Sequence, residues 1–109
     1  MIQVTISKES FFIKGFKVSG HAGYSENEDD IVCAAVSILA YTALNSLKEV
    51  AEISEQDIRF NVDEDEGLLE VNTNKINDKS EVIYKNFIVG INLLLEEYSK
   101  YITLRYEEV

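Results

Sequence analysis

No proline and no tryptophan occur anywhere in this chain of 109 residues. With no Pro-rich or other low-complexity tract there is no linker signal, so the sequence reads as one domain spanning 1–109, long enough to bury a core. A single cysteine, Cys33, excludes an internal disulfide, and whatever it does it does as a thiol. A single histidine, His21, joins it, so a zinc site would need two carboxylates to complete it. That is an unusual donor set, and neither a metal nor any other cofactor is expected.

Positive charge is scarce too. Ten Lys and Arg stand against 20 Asp and Glu, a net charge of −10, and the lysines are dispersed along the chain. Such a surface repels phosphate backbones and argues against direct nucleic-acid binding. It suits a basic partner, or does no more than keep the protein soluble. No apolar run approaches the ~20 residues of a membrane helix. The first six residues alternate like a strand and lack the basic start and apolar block of a signal peptide. The expectation is a cytoplasmic protein without membrane association.

What is present is a regular succession of short periodic segments. Ile2, Val4 and Ile6 alternate with polar residues as in a half-buried strand. After a polar break, a second strand carries Phe12, Phe16 and Val18 on one face, with Gly15 marking a bulge or a close approach. At Ile31 the period changes to that of a helix. Val32, Ala35, Val36, Leu39, Ala43, Leu44, Leu47 and Val50 form its stripe, and Asp29 or Asp30 is its N-cap. Residues 57–63 and 68–73 read as strands joined by an acidic turn in which Gly67 supplies a positive φ. A second helix follows, with Ser80 as its cap and Val82, Ile83, Phe87, Ile91, Leu94, Leu95 and Tyr98 on one side. Ile102, Leu104 and Tyr106 close the chain as a strand. The order ββαββαβ predicts an α+β fold, a mainly antiparallel sheet with two helices packed on it.

His21 and Cys33 flank one short loop, the histidine at a strand end and the cysteine in the first turn of a helix. Unpaired N–H groups and the dipole at a helix start favour thiolate over thiol, and the thiolate is the nucleophile. A loop that folds back would make the imidazole a general base, and free N–H groups at the helix start would form an oxyanion hole. Glu26, Glu28, Asp29 and Asp30 crowd the same loop and oppose a thiolate. The bland alternatives stand beside this reading. A lone cysteine among Val32, Ala34, Ala35 and Val36 is often a small core residue, and a lone histidine after a strand is often a surface or capping residue.

Gly20-His21-Ala22, a seven-residue loop, then Asp30-Ile31-Val32-Cys33-Ala34-Ala35-Val36-Ser37 resembles the signature of the ribosomal-processing cysteine protease family, Prp. The general likeness spans the chain, while the specific motifs are confined to residues 20–37. The resemblance implies a catalytic dyad of His21 and Cys33, with supporting or substrate-binding roles at Gly20, Ala22, Asp30 and Ser37. It further implies a homodimer that removes the short N-terminal extension of a basic bacterial large-subunit ribosomal protein, the twenty-seventh of its series. The cut would follow an aromatic segment. A mobile loop over residues 23–29 would open to admit the peptide. One departure is Glu28, where family members commonly carry glycine; it restricts the backbone and adds a charge beside the site. The rival reading is a non-catalytic acidic assembly factor or chaperone that binds a basic ribosomal protein. A purely structural or dimer-forming protein is a further alternative.

Overall fold

A computed structural model describes residues 1–24 and 30–109 of the chain. Glu26, Glu28 and Asp29 lie outside the described residues, and so does most of the segment expected to open. The elements are β1 (Ile2–Glu9), β2 (Phe12–Ser19), α1 (Ile31–Glu49), a 3-10 turn (Glu55–Asp57), β3 (Ile58–Asp63), β4 (Leu68–Thr73), α2 (Asp78–Tyr98) and β5 (Ile102–Glu108). Apart from the 3-10 turn, their order is the expected ββαββαβ. They form a five-stranded sheet in the order β3-β4-β2-β1-β5, antiparallel throughout except that β5 pairs parallel with β1.

Register explains why the sheet has one apolar face. Val4 pairs with Val18 and Leu104, Ile6 with Phe16, Phe16 with Val71, and Val18 with Leu69. Alternate residues of each strand therefore line up across the sheet, and this row meets the helices. Val32, Val36, Ala40, Ala43, Leu44 and Leu47 of α1 and Tyr84, Phe87, Gly90 and Ile91 of α2 are buried against it. Phe16 stacks on Phe87 with centroids 4.3 Å apart and meets Tyr84 edge-on at 6.2 Å. On the opposite face Thr5 is buried beneath Arg105, whose Nε donates to its hydroxyl at 3.3 Å.

Several details differ from the sequence reading: Val50, expected in the stripe of α1, is its exposed C-cap, and the polar residues Ser7, Lys8 and Glu9 continue β1. Lys14 is an extra residue in β2, because Ser7 pairs with Gly15 but Lys8 with Ile13. The bulge breaks the alternation, so Ile13 joins Phe16 and Val18 inside and Phe12 is exposed. Gly15 sits where a side chain would collide with the Val71 carbonyl, the close approach expected of it. The cap of α2 is Asn77, not Ser80. Asn77 Oδ1 accepts from Ser80 N at 2.8 Å and Ser80 Oγ accepts from Asn77 N at 2.9 Å, a reciprocal capping box. The buried row of α2 runs through Ser80, Tyr84, Phe87 and Ile91, and Val82, which lies off it, is 67 % exposed. Finally, α1 is long and apolar enough to cross a membrane, contrary to the expectation that no segment is. Its Val32, Val36, Leu44 and Leu47 are buried in the core, whereas Ile31 and Ile38 are exposed.

Candidate active site

The N-terminus of α1 is organised by Asp30. Its Oδ1 accepts from Val32 N and Cys33 N, each at 3.0 Å, and its Oδ2 accepts from Tyr24 N at 3.2 Å. Asp30 is therefore the N-cap and Cys33 the third helical residue, as the spacing suggested. The same bonds correct one expectation. The N–H groups of Val32 and Cys33 are occupied by the cap, and that of Ala34 by the Asp30 carbonyl at 3.0 Å, so these three are not open as an oxyanion hole.

Cys33 is a free, half-buried thiol at the edge of the core. Its Sγ accepts from Ala22 N at 3.3 Å. Ala22 itself is buried. Just ahead of it the chain turns at Gly20, with φ +89° and its N–H on the Glu66 carbonyl at 3.1 Å. Just after it Tyr24 packs edge-on against Tyr98 and Tyr101, with centroids 5.7 and 5.2 Å away. The strand end carrying His21 is thereby tied to the thiol, to the β3–β4 turn and to the end of α2.

His21 is exposed. Its Nε2 lies 3.1 Å from the Asp65 carbonyl oxygen, and among the described residues this is its side-chain hydrogen bond. The imidazole is thus seated on the β3–β4 turn and not bonded to the thiol in this state. Gly20, His21, Cys33 and Ser37 nevertheless line one cavity of about 280 Å³. Its remaining wall is largely apolar, with Val36, Ala40 and Tyr41 from α1 and Val62, Leu68 and Leu69 from β3 and β4, and Asp63 and Glu64 at its acidic end. Four of the six expected site residues line the cavity. Ala22 supplies the amide on the sulfur, and the Asp30 carboxylate is engaged by backbone N–H groups of the cap and of Tyr24.

Two groups of cavity residues escaped the sequence reading. Tyr41 continues the row Cys33, Ser37, Tyr41 at four-residue spacing, and helical periodicity would have found it. The β3–β4 turn has no local signal linking it to His21. It arrives because β4 is the neighbour of β2 in the sheet.

The geometry is matched by the sequence as a whole. The family model "Cysteine protease Prp" matches residues 1–103. This chain belongs to the Prp family of cysteine proteases. It is 27 % identical over 109 residues to the ribosomal processing cysteine protease Prp of Staphylococcus aureus, covering 97 % of both chains. The fold of the crystallised S. aureus Prp with a covalently linked product peptide is similar, with a TM-score of 0.85 at 26 % identity, over 98 % of this chain and 100 % of that one. A Streptococcus mutans protein of known structure gives 0.82 at 28 % identity, over 100 % and 99 %. The S. aureus Prp with a substrate peptide gives 0.79 at 25 %, over 98 % and 100 %. The five-stranded mixed sheet with its two helices is the architecture of these Prp structures.

Proposed function

We propose that this chain is a site-specific cysteine endopeptidase with Cys33 as nucleophile and His21 as general base and acid. In this reading it acts in the cytoplasm as a homodimer and removes the N-terminal extension of the basic large-subunit ribosomal protein named above. The observation that carries the proposal is the cavity that holds Cys33 and His21 together, with the Ala22 amide on the sulfur, in a chain of the Prp family. Support for the substrate class comes from the S. aureus relative, described as a ribosomal processing protease and crystallised with substrate and product peptides. The apolar wall of the cavity suits an apolar side chain beside the scissile bond, and the net charge of −10 suits a basic substrate.

The chemistry follows from these positions. The imidazole takes the thiol proton, and the thiolate attacks the peptide carbonyl, forming a C–S bond. The Ala22 N–H, released from the sulfur, is a backbone donor for the new oxyanion, a role the capped helix start does not fill. The imidazolium gives its proton to the amine as the C–N bond breaks. Water, deprotonated by the same imidazole, then cleaves the thioester and releases the thiolate.

The test is a peptide spanning the extension, incubated with the wild type, Cys33→Ala and His21→Ala, with cuts located by mass spectrometry. One cut by the wild type and a loss of at least about 100-fold in either variant is expected. Near-normal cleavage by a folded variant removes the corresponding residue from the mechanism. Binding without cleavage by any of the three supports the non-catalytic assembly factor.

A further inference from the structure

The β3–β4 turn is built so that one of its carbonyl oxygens faces the imidazole. Asp63 Oδ1 accepts from Asp65 N at 3.1 Å and from Glu66 N at 3.3 Å, closing the turn from its first residue. Gly67 N donates to the Glu64 carbonyl at 3.2 Å, and the Glu66 carbonyl accepts from Gly20 N, which fastens the turn to the residue before His21. Gly67 has φ +60°, and a Cβ there would collide with the Gly20 carbonyl oxygen and stand 3.1 Å from His21 Cε1. Only glycine lets the turn lie this close to the ring. The outcome is the contact of 3.1 Å between Asp65 O and His21 Nε2.

A carbonyl oxygen has lone pairs and no proton, so the hydrogen in this contact belongs to Nε2. A neutral imidazole has one N–H, which leaves the basic lone pair on Nδ1. We propose that the Asp65 carbonyl is the orienting partner of the dyad: it fixes the Nε2–H tautomer so that Nδ1 is the base offered to Cys33. Asp63 and Gly67 are positioning residues that hold this carbonyl in place. The inference rests on the proposed pairing of His21 with Cys33. The bond survives proton uptake, because the imidazolium keeps its Nε2–H, so the ring stays seated through both halves of the reaction.

One histidine in the chain makes the test direct. Long-range proton–nitrogen spectra of the intact protein are recorded about two pH units above the ordinary imidazole pKa of ~6.5. The wild type is expected to show a single Nε2–H tautomer with its N–H proton slowed in exchange with water. Asp63→Ala is expected to give a mixture of tautomers and a fast-exchanging proton, with kcat down roughly tenfold to a hundredfold and any change in KM shared by Asp63→Asn, which removes the same charge. Asp63→Asn, which keeps the accepting Oδ1, should restore both spectrum and kcat. An Nδ1–H tautomer, or an unpinned mixture in the wild type, overturns the proposal without recourse to any variant. So does an Asp63→Ala protein whose spectrum and kcat are both unchanged. Full activity of His21→Ala would overturn the dyad and this inference with it, whereas an inactive His21→Ala beside an unpinned ring would overturn the inference alone.

Discussion

Asp30 shows how much one side chain at a helix start can determine. Its carboxylate caps α1, sets Cys33 at the third position and holds the amide of Tyr24 on the far side of the loop. Asp30→Ala is expected to lower stability by about 1–2 kcal/mol, the usual worth of an N-cap, read as a shift in denaturant midpoint. Asp30→Asn keeps Oδ1 for Val32 and Cys33 but puts an NH2 where Tyr24 N now donates, so it should retain most of the stability and lose turnover. If Asn behaves as Ala in both measurements, the two halves of the carboxylate do not have separate tasks. Asp30 and Cys33 were legible in the sequence because caps and helix starts follow local rules, and Ser37 through the family motif it belongs to. The Asp65 carbonyl was not, since a backbone oxygen has no residue type and lies 44 residues from the ring it meets.

Between elements, the bulge in β2 is the joint that seats α2 on the sheet. Lys14 has no partner in β1, and its carbonyl accepts instead from Tyr84 Oη and Thr73 Oγ1, each at 3.1 Å. The hydroxyls of Tyr84 and Thr73 also meet at 3.0 Å, and both residues are buried. Beside the bulge, Ile13 N donates to the Glu81 carboxylate in the first turn of α2. Sequence periodicity located β4 and α1 nearly to the residue because their patterns run unbroken, whereas β1 continues through Ser7, Lys8 and Glu9, polar residues that read as a break. Periodicity failed at Phe12, where the inserted Lys14 changes the phase of the strand, and at Val82, which lies off the helical row of Tyr84, Phe87 and Ile91. Burial raises the Tyr84 pKa from 10.0 to about 12, eased by Thr73 and reinforced by Glu81. Below pH 10 both folded and unfolded chains hold this proton, and its stabilising effect is complete. As pH climbs from 10 towards 12 the unfolded chain ionises first, so stability falls, by about 2–3 kcal/mol in all from this group. Tyr84→Phe is expected to cost about 1 kcal/mol at neutral pH and to flatten that alkaline loss. Denaturant titrations of both proteins at pH 8, 10 and 11.5 would measure it, and equal slopes would contradict it.

At the scale of the whole molecule, topology decides what the site is made of. The strand order brings β4 beside β2, so the turn before β4 reaches His21 and its carboxylates reach the cavity that holds Cys33. Element order was legible from the sequence, but strand order was not, because degenerate ββα patterns fit more than one sheet. The consequence is that the excess of negative charge is not all remote from the chemistry: Asp63 and Glu64 line the cavity itself. Exposed charges interact over a Debye length of about 30 Å at 0.01 M salt and about 10 Å at 0.1 M. If the acidic surface guides a basic substrate, kcat/KM for a substrate peptide carrying lysines should fall severalfold between these concentrations, chiefly through KM. The same peptide with those lysines changed to glutamine should start lower and respond little. Were both peptides cleaved alike at every salt concentration, the charge would serve solubility alone, and selectivity would rest on the apolar wall formed by Val36, Ala40, Tyr41, Val62 and Leu68.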